Sequence, residues 1–124
     1  VMHRLMADDL EPVVAALVAR SGLAPRVFWS NAGNLIAWYL ASLRANPPTV
    51  DGARTVAAHW VEARSHPRFD GHNPLRTPLS ETSDSAGNAV PQRRICCARY
   101  LSDDLDLCPS CPLSSAPAAR RAKR

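Results

Sequence analysis

The sequence has few aromatic residues and lacks a long apolar run. Three Trp, two Tyr and two Phe occur among 124 residues. No stretch of about 18 uninterrupted apolar residues is present, so no membrane-spanning helix is predicted. The first nine residues also lack an apolar run followed by a small-residue cleavage site. Without an export signal, we expect a cytoplasmic protein.

Two kinds of catalytic and binding motif are also missing. No glycine-rich loop precedes a predicted helix, and no nucleophile has a plausible histidine partner. His59 and His66 lie in or beside a predicted helix, where packing or a favourable charge near the helix end explains them. His3 and His72 follow no pattern. The sequence therefore gives no support to a hydrolase or a nucleotide-binding protein.

The formal charge of +4 arises at the C-terminus. Residues 114–124 have no apolar pattern and are predicted to form a disordered basic tail. Such short basic ends usually improve solubility, and no aromatic residues are interleaved with the charges, so no nucleic-acid partner is expected. The body of the chain is nearly neutral without the four cations of this tail: Arg120, Arg121, Lys123 and Arg124.

The predicted fold class is mainly α. Apolar spacing, capping residues and prolines predict helices over 9–21, 25–45 and 51–65, which form a small three-helix bundle. Residues 67–91 are rich in Pro, Gly, Asn, Ser and Thr, and are predicted to form an irregular loop or short hairpin. Residues 92–101 are predicted to be extended and to deliver the first cysteines.

This pattern divides the chain into three regions. Residues 1–91 are assigned to the helical bundle and its loop, 92–113 to a four-cysteine segment, and 114–124 to the tail. Most apolar residues of the first region are assigned to its core. They include Trp29, Trp38 and Trp60, for which core packing is favoured over stacking on a substrate. Phe69, Leu75 and Leu79 are predicted to fasten the loop to the bundle. The other predicted core residues are Leu10, Val13, Val14, Leu17, Val18, Phe28, Ala32, Leu35, Ile36, Tyr39, Leu43, Val56 and Ala57.

All four cysteines fall within sixteen positions. They form the pattern Cys-Cys, ten residues, Cys, two residues, Cys. A reducing cytosol disfavours a disulfide framework, so metal or cluster ligation is the leading interpretation. The two-residue gap lets the thiolates of Cys108 and Cys111 turn to one side and bind a common metal, and Pro109 and Pro112 stiffen that turn.

The adjacent pair, Cys96 and Cys97, favours a cluster over a single ion. Neighbouring side chains of an extended segment point to opposite faces, so a bend must rotate them toward one site. A [2Fe-2S] cluster accepts ligands from a wider arc than structural zinc, which usually takes two separated cysteine pairs. Structural zinc and free thiols or disulfides stay open as alternatives. Arg93 and Arg94 would offset the negative charge of such a cluster, or are solvated.

The residues around the cysteines resemble a known signature. Arg93 to Tyr100, with the sequence RRICCARY, and Cys108 to Leu113, with CPSCPL, resemble the C-terminal signature of the FhuF family of ferric-siderophore reductases. Residues 28–34, FWSNAGN, are similar to a Trp- and Asn-containing helix of that family. The resemblance covers about 13–113. Family members usually carry a further N-terminal portion, so it implies an N-terminally shortened chain.

The resemblance implies an activity and a ligand set. It implies a [2Fe-2S] cluster that gives single electrons to a ferric siderophore, of hydroxamate type, in the cytoplasm. An electron donor must then be a second partner. The ligands would be the four cysteines, Cys96, Cys97, Cys108 and Cys111. Substrate docking is assigned to Arg93, Arg94, Trp29 and Asn31, although a structural hydrogen bond is the favoured explanation of Asn31 and Asn34.

Two departures and two alternatives accompany this resemblance. The missing N-terminal portion is expected to affect substrate binding. The link between the cysteine pairs is Asp-rich where the family has a Gly-rich turn, and this is expected to affect the reduction potential of the cluster. One alternative is a structural zinc module that binds another macromolecule. The other is a general iron-sulfur electron-transfer protein. The acidic residues of the link are Asp103, Asp104 and Asp106.

Overall fold

The chain divides into two structural units, 1–77 and 78–124. A computed structural model describes residues 4–45, 51–66, 69, 71–76, 79–84 and 86–114, and their side chains except at 43–45, 51–54, 56 and 57. The predicted tail therefore lies outside the described residues, apart from Ser114, and so do the predicted core side chains Leu43, Val56 and Ala57. We describe each unit by itself.

The first unit contains the three predicted helices. A π-helical turn, Leu5–Leu10, leads into α1 (Glu11–Ser21). Helix α1 ends at Gly22, which adopts a left-handed conformation and donates its N–H to the carbonyl of Val18. Helices α2 (Pro25–Ala45) and α3 (Asp51–Glu62) follow. The mainly α prediction is confirmed for this unit, although helical structure begins earlier than predicted, with the π-helical turn at Leu5, and the third helix ends earlier than predicted.

The core of the helical unit is centred on Met6, Val14, Trp29 and Leu75. Both Met6 and Leu75 are fully buried. Several predicted core residues pack around this centre, which confirms their assignment: Leu10, Val18, Phe28, Ala32, Ile36, Trp60 and Phe69.

Other predicted core residues are exposed. On α2, Trp38 is 68% exposed, and Leu35 and Tyr39 are also more than half exposed. The prediction is wrong here because apolar residues occupy more than one face of α2, and the face that packs runs through Trp29, Gly33 and Leu40, which are buried. On α1, Val13 and Leu17 are exposed for the same reason, since Val14 and Val18 face the core.

The segment after α3 is held by a buried amide. The side-chain NH₂ of Asn73 donates to the carbonyls of Trp60 and Ala63, and its oxygen accepts from the N–H of Leu75. Phe69 packs edge-on against Trp29, with ring centroids 5.4 Å apart. The prediction that Phe69 and Leu75 fasten this loop to the bundle is therefore confirmed.

The second unit begins with a β-hairpin, which confirms the predicted short hairpin. Strand β1 (Leu79–Ser83) pairs antiparallel with β2 (Ala89–Arg93), with Leu79 opposite Arg93 and Ser83 opposite Ala89. Leu79, which is predicted to fasten the loop to the bundle, is half exposed at the start of β1. Strand order and hydrogen bonding place it at the hairpin's open end, away from a packed interior.

The hairpin turn is organised by Asp84. Its carboxylate accepts bonds from the N–H groups of Ala86 and Asn88, and from the side chain of Asn88. These bonds hold the pKa of Asp84 below its ordinary value of 3.8, the Asn88 side chain contributing most. The turn thus fixes which residues of β1 and β2 face each other.

Candidate metal centre

The first cysteine pair lies in a bend after β2. The strand ends at Arg93, so the predicted extended segment 92–101 is extended only at its start. Ala98, directly after Cys97, has φ of 61°, a left-handed conformation that few residues other than glycine adopt. A short 3₁₀ helix, Arg99–Leu101, follows. The chain therefore bends just before the first cysteine pair, at Arg94 and Ile95, and changes direction directly after it, at Ala98.

The second cysteine pair lies in a tight turn. The N–H of Cys111 donates to the carbonyl of Cys108 at 3.0 Å, which closes the Cys-Pro-Ser-Cys turn. The Sγ of Cys111 accepts from the N–H of Leu113 at 3.4 Å. Cys111 is almost fully buried, whereas the other three cysteines are partly buried. The predicted Cys-x-x-Cys segment therefore forms a turn closed by its own backbone.

A backbone hydrogen bond joins the end of β2 to this turn. The N–H of Arg93 donates to the carbonyl of Ser110 at 2.8 Å. The side-chain amide of Gln92 lies 3.5 Å from the carbonyl of Cys111, at the outer limit of a hydrogen bond. Because Arg93 and Ser110 each lie within a few residues of a cysteine pair, this bond brings the two pairs together.

The thiols meet across the two pairs. The Sγ atoms of Cys97 and Cys108 are 3.8 Å apart, and the thiol of Cys111 is near enough to that of Cys96 to raise its pKa. Two thiolates bound to one tetrahedral metal with bonds of about 2.3 Å are separated by about 3.8 Å. All four cysteines are thiols rather than disulfides. Four thiols are the donor set that a [2Fe-2S] cluster takes, so the chemistry of these residues suits the cluster that the resemblance implies.

A single-ion geometry is not formed in the described part of the chain. There, no three side chains from His, Cys, Asp and Glu converge in a way that could hold one metal ion. The thiols instead approach each other in pairs, Cys97 with Cys108 and Cys96 with Cys111.

Burial raises the pKa of two of these thiols. For Cys96, loss of solvent is the main cause, the N–H of Ala98 opposes the rise, and neighbouring thiols add to it. For Cys108, burial and then the adjacent thiol of Cys97 raise the pKa, while the charge of Arg93 lowers it. These thiols are therefore protonated at neutral pH, and ligation must displace their protons.

The four predicted docking residues belong to different units. Arg93 is partly buried and its charge reaches Cys108, whereas Arg94 is exposed. In the helical unit, Trp29 is 8% exposed and packs in the core, so it presents little surface to a ligand. Asn31 is partly buried on α2. The amide of its neighbour Asn34 donates to the carbonyl of Ser30 at 2.7 Å, a structural bond.

Sequence reasoning missed a cavity beside the cysteine turn. Its volume is about 350 Å³, and its walls come from the hairpin and from the turn that carries Cys108 and Cys111. We call it the hairpin cavity. A signal was present in the Ser and Thr residues of the hairpin, but their convergence depends on a strand register that the sequence does not display. The polar walls include Thr82, Ser83, Gln92, Ser110 and Ser114.

Comparison with known proteins identifies relatives by sequence. The family model described as "Ferric iron reductase FhuF-like transporter" matches residues 1–87, which end before the cysteines. A protein of Escherichia coli (strain K12) named "Ferric siderophore reductase" is 32% identical over 120 residues. This alignment covers 90% of the chain but 40% of the relative, so the chain spans less than half of that protein's length.

Two further findings come from the structure. No solved structure matches the chain. Among the residues that the structure describes, no helix combines the length and apolar character needed to cross a membrane.

Proposed function

The chain belongs to the FhuF-like family, and we propose that it is a ferric-siderophore reductase whose four cysteines hold a [2Fe-2S] cluster. The observation that carries the proposal is the spacing of 3.8 Å between the Sγ atoms of Cys97 and Cys108, which is that of two ligands on one tetrahedral metal. The name of the relative in Escherichia coli supports the activity. We place the reaction in the cytoplasm and assign hydroxamate-type siderophores as substrates.

The proposed one-electron reduction needs little acid-base catalysis. A [2Fe-2S] cluster, when bound, supplies electrons one at a time. The substrate's ferric ion gains one electron and becomes ferrous, which binds hard oxygen ligands less strongly and leaves the chelator. A one-electron donor outside this chain provides that electron, with dithionite serving in its place in vitro.

The protein's own residues then have three tasks. Cys96, Cys97, Cys108 and Cys111 would hold the cluster as thiolates. Arg93, whose positive charge already acts on Cys108, would offset part of the negative charge of four thiolates and favour the reduced form. The Cys-Pro-Ser-Cys turn must also be close to the docked chelate, because an electron moves more readily over a short distance.

Anaerobic purification tests the proposal directly. We would measure iron, sulfide and zinc content and the visible absorption before and after dithionite, then follow reduction of a ferric trihydroxamate with a colorimetric trap for ferrous iron. We expect visible bands that bleach, equal iron and sulfide, and ferrous release that depends on the chain. A colourless protein with zinc would instead identify a structural module. Bleaching without chelate reduction would identify a general electron-transfer protein.

Cysteine substitutions provide the matched comparison. Cys97→Ser and Cys108→Ser each remove one member of the 3.8 Å pair, and we expect each to lose most of the visible absorption and bound iron. Ser102→Ala changes an exposed residue of the same unit and should retain both. Full iron and colour in both cysteine variants would contradict the ligand assignment.

A further inference from the structure

The hairpin cavity lies against the turn that bears two of the cysteines. Pro109 and Ser110, which form part of its wall, are the two residues between Cys108 and Cys111. The opposite walls come from both strands of the hairpin, including Thr82 and Gln92. Any molecule in this cavity therefore contacts the same turn that would hold a cluster. This adjacency is what electron transfer to a bound substrate requires.

The walls of the cavity combine polar and apolar residues. Thr82, Ser83, Ser110 and Ser114 line it together with the amide of Gln92. Apolar contact comes from side chains such as Val90 and Pro109. Hydroxyl and amide groups can donate to the oxygen atoms that cover a ferric chelate, while the apolar residues contact its carbon skeleton.

The charge of the walls favours a neutral occupant. Among the described residues that line the cavity there is no Lys, Arg or His, and Asp84 contributes a carboxylate. This carboxylate is ionised at neutral pH, since even the ordinary pKa of an aspartate is far below 7. Ferric iron with three singly charged hydroxamates is electrically neutral, whereas ferric iron with three catecholates is strongly anionic. The carboxylate would repel the second class.

The size of the cavity limits how much of a chelate it can hold. Small-molecule sites measure about 300 to 1,000 Å³, and about 350 Å³ is at the lower end of this range. It can receive one face of the iron-binding core, with the rest of the chelator in solvent. Recognition through that face would tolerate differences in the chelator's backbone.

We propose that the hairpin cavity is the docking site for an electrically neutral ferric chelate, held against the cysteine turn by the wall that Thr82, Ser83 and Ser110 help to form. This inference rests on the proposed function and locates its substrate in residues that the sequence did not single out. The exposed Arg94 and the buried Trp29 have no part in it.

A gallium chelate tests docking without electron transfer. Gallium(III) takes the place of ferric iron in a trihydroxamate complex. The complex stays electrically neutral, and the gallium is not reduced during the titration. Calorimetric titration of the full chain with this complex, beside the anionic gallium tris-catecholate, gives both affinities. We expect the neutral complex to bind at least about tenfold more tightly than the anionic one.

A matched pair of substitutions locates the site. Ser83→Trp fills the cavity and should weaken binding of the gallium trihydroxamate by at least about tenfold. Ser102→Trp makes the same change at an exposed residue of the same unit, outside the cavity, and should leave the affinity unchanged. If Ser83→Trp fails to fold by circular dichroism, Thr82→Val removes one hydroxyl with little change of shape and should weaken binding about two- to tenfold.

The outcomes separate docking from catalysis. Equal affinity in Ser83→Trp, Thr82→Val and the original chain would overturn the docking site even if the chain reduces ferric chelates normally. Absence of gallium trihydroxamate binding to the original chain, or a preference for the catecholate, would overturn it as well. Localised binding by a chain that lacks a cluster would instead preserve the docking site and refute the proposed function.

Discussion

Gly33 lies in direct contact with the backbone of Leu75. A Cβ built at Gly33 would overlap the carbonyl oxygen of Leu75, and the carbonyl carbon would be 2.8 Å away. This close approach seats the fully buried Leu75 against α2. The neighbouring atoms belong to the backbone, so they cannot change rotamer to make room as a flexible side chain can.

Gly33→Ala should therefore destabilise the protein, by about 1 to 3 kcal/mol in the free energy of unfolding. The sign is diagnostic, because replacing glycine by alanine in the interior of a helix ordinarily stabilises it by about 1 kcal/mol. Urea denaturation followed by circular dichroism measures the change. Ala41→Ser, at an exposed position of α2, should shift stability by less than about 0.5 kcal/mol. A stabilised Gly33→Ala variant would contradict the close contact.

The thiol contacts predict which disulfides form when the metal-free chain is oxidised. Diamide converts two neighbouring thiols into a disulfide as it is itself reduced to a hydrazine. We expect the bond between Cys97 and Cys108 to form before the one between Cys108 and Cys111, because the first pair of sulfurs is already 3.8 Å apart. Mass spectrometry of a non-reduced digest identifies the products.

Cys97→Ser serves as the control for this experiment. It should slow the first oxidation of Cys108, while Cys96 and Cys111 remain near each other. Early formation of the bond within the Cys-Pro-Ser-Cys turn in the original chain would show that the pairs do not meet as described.

The two arginines before the cysteines should have unequal effects on a bound cluster. Arg93→Gln removes a charge that acts on Cys108, and should lower the reduction potential by about 20 to 60 mV, up to a tenfold change for a one-electron couple. Arg94→Gln removes an exposed, better screened charge and should have a smaller effect. Spectroscopically monitored redox titration measures both.

Arg99→Gln is the matched control, since Arg99 is exposed and follows the same cysteine pair. An equal shift in all three variants would indicate a nonspecific change in net charge. An unchanged potential in Arg93→Gln would place its guanidinium too far from the cluster to act on it.

The hairpin turn predicts a pH dependence at Asp84. Its pKa is below 3.8 in the folded chain, chiefly because Asn88 donates to the carboxylate. Because this pKa is lower in the folded chain than in the unfolded chain, the carboxylate stabilises the fold at pH values above its unfolded pKa. This contribution is lost as the pH falls through the folded pKa. We expect Asn88→Ala to raise the pKa of Asp84 toward 3.8, as measured by NMR titration of the carboxyl carbon. No change in Asn88→Ala would refute the role of this side chain.

The helices could be predicted because their signals are local. Gly22 stops α1, Pro25 begins α2, and helical spacing marks the segments between. The packed face of α2 could not be predicted in the same way. Its apolar residues surround much of the helix, and the choice of Trp29 and Leu40 over Trp38 depends on which neighbours pack there.

The candidate site was also predictable only where its signals are local. The motif predicts Cys96, Cys97, Cys108 and Cys111 as one set, because all the cysteines of the chain fall within sixteen positions. It does not identify which thiols meet, since that depends on the bend at Ala98 and on the hydrogen bond from Arg93 to Ser110. The hairpin cavity likewise needs the register of two strands and the position of the turn.

The sequence by itself determined the helical segments, the hairpin's existence and the cysteine set, because spacing and turn chemistry act over a few residues. Only the tertiary structure decided that the thiols of Cys97 and Cys108 lie close together and that the carbonyl of Leu75 packs against Gly33. It also decided that residues of β1 and of the cysteine turn line one cavity. These are contacts between residues distant in sequence. They are chosen by the packing of the whole unit, where close packing and hydrogen bonding admit one arrangement among the many that the local signals allow.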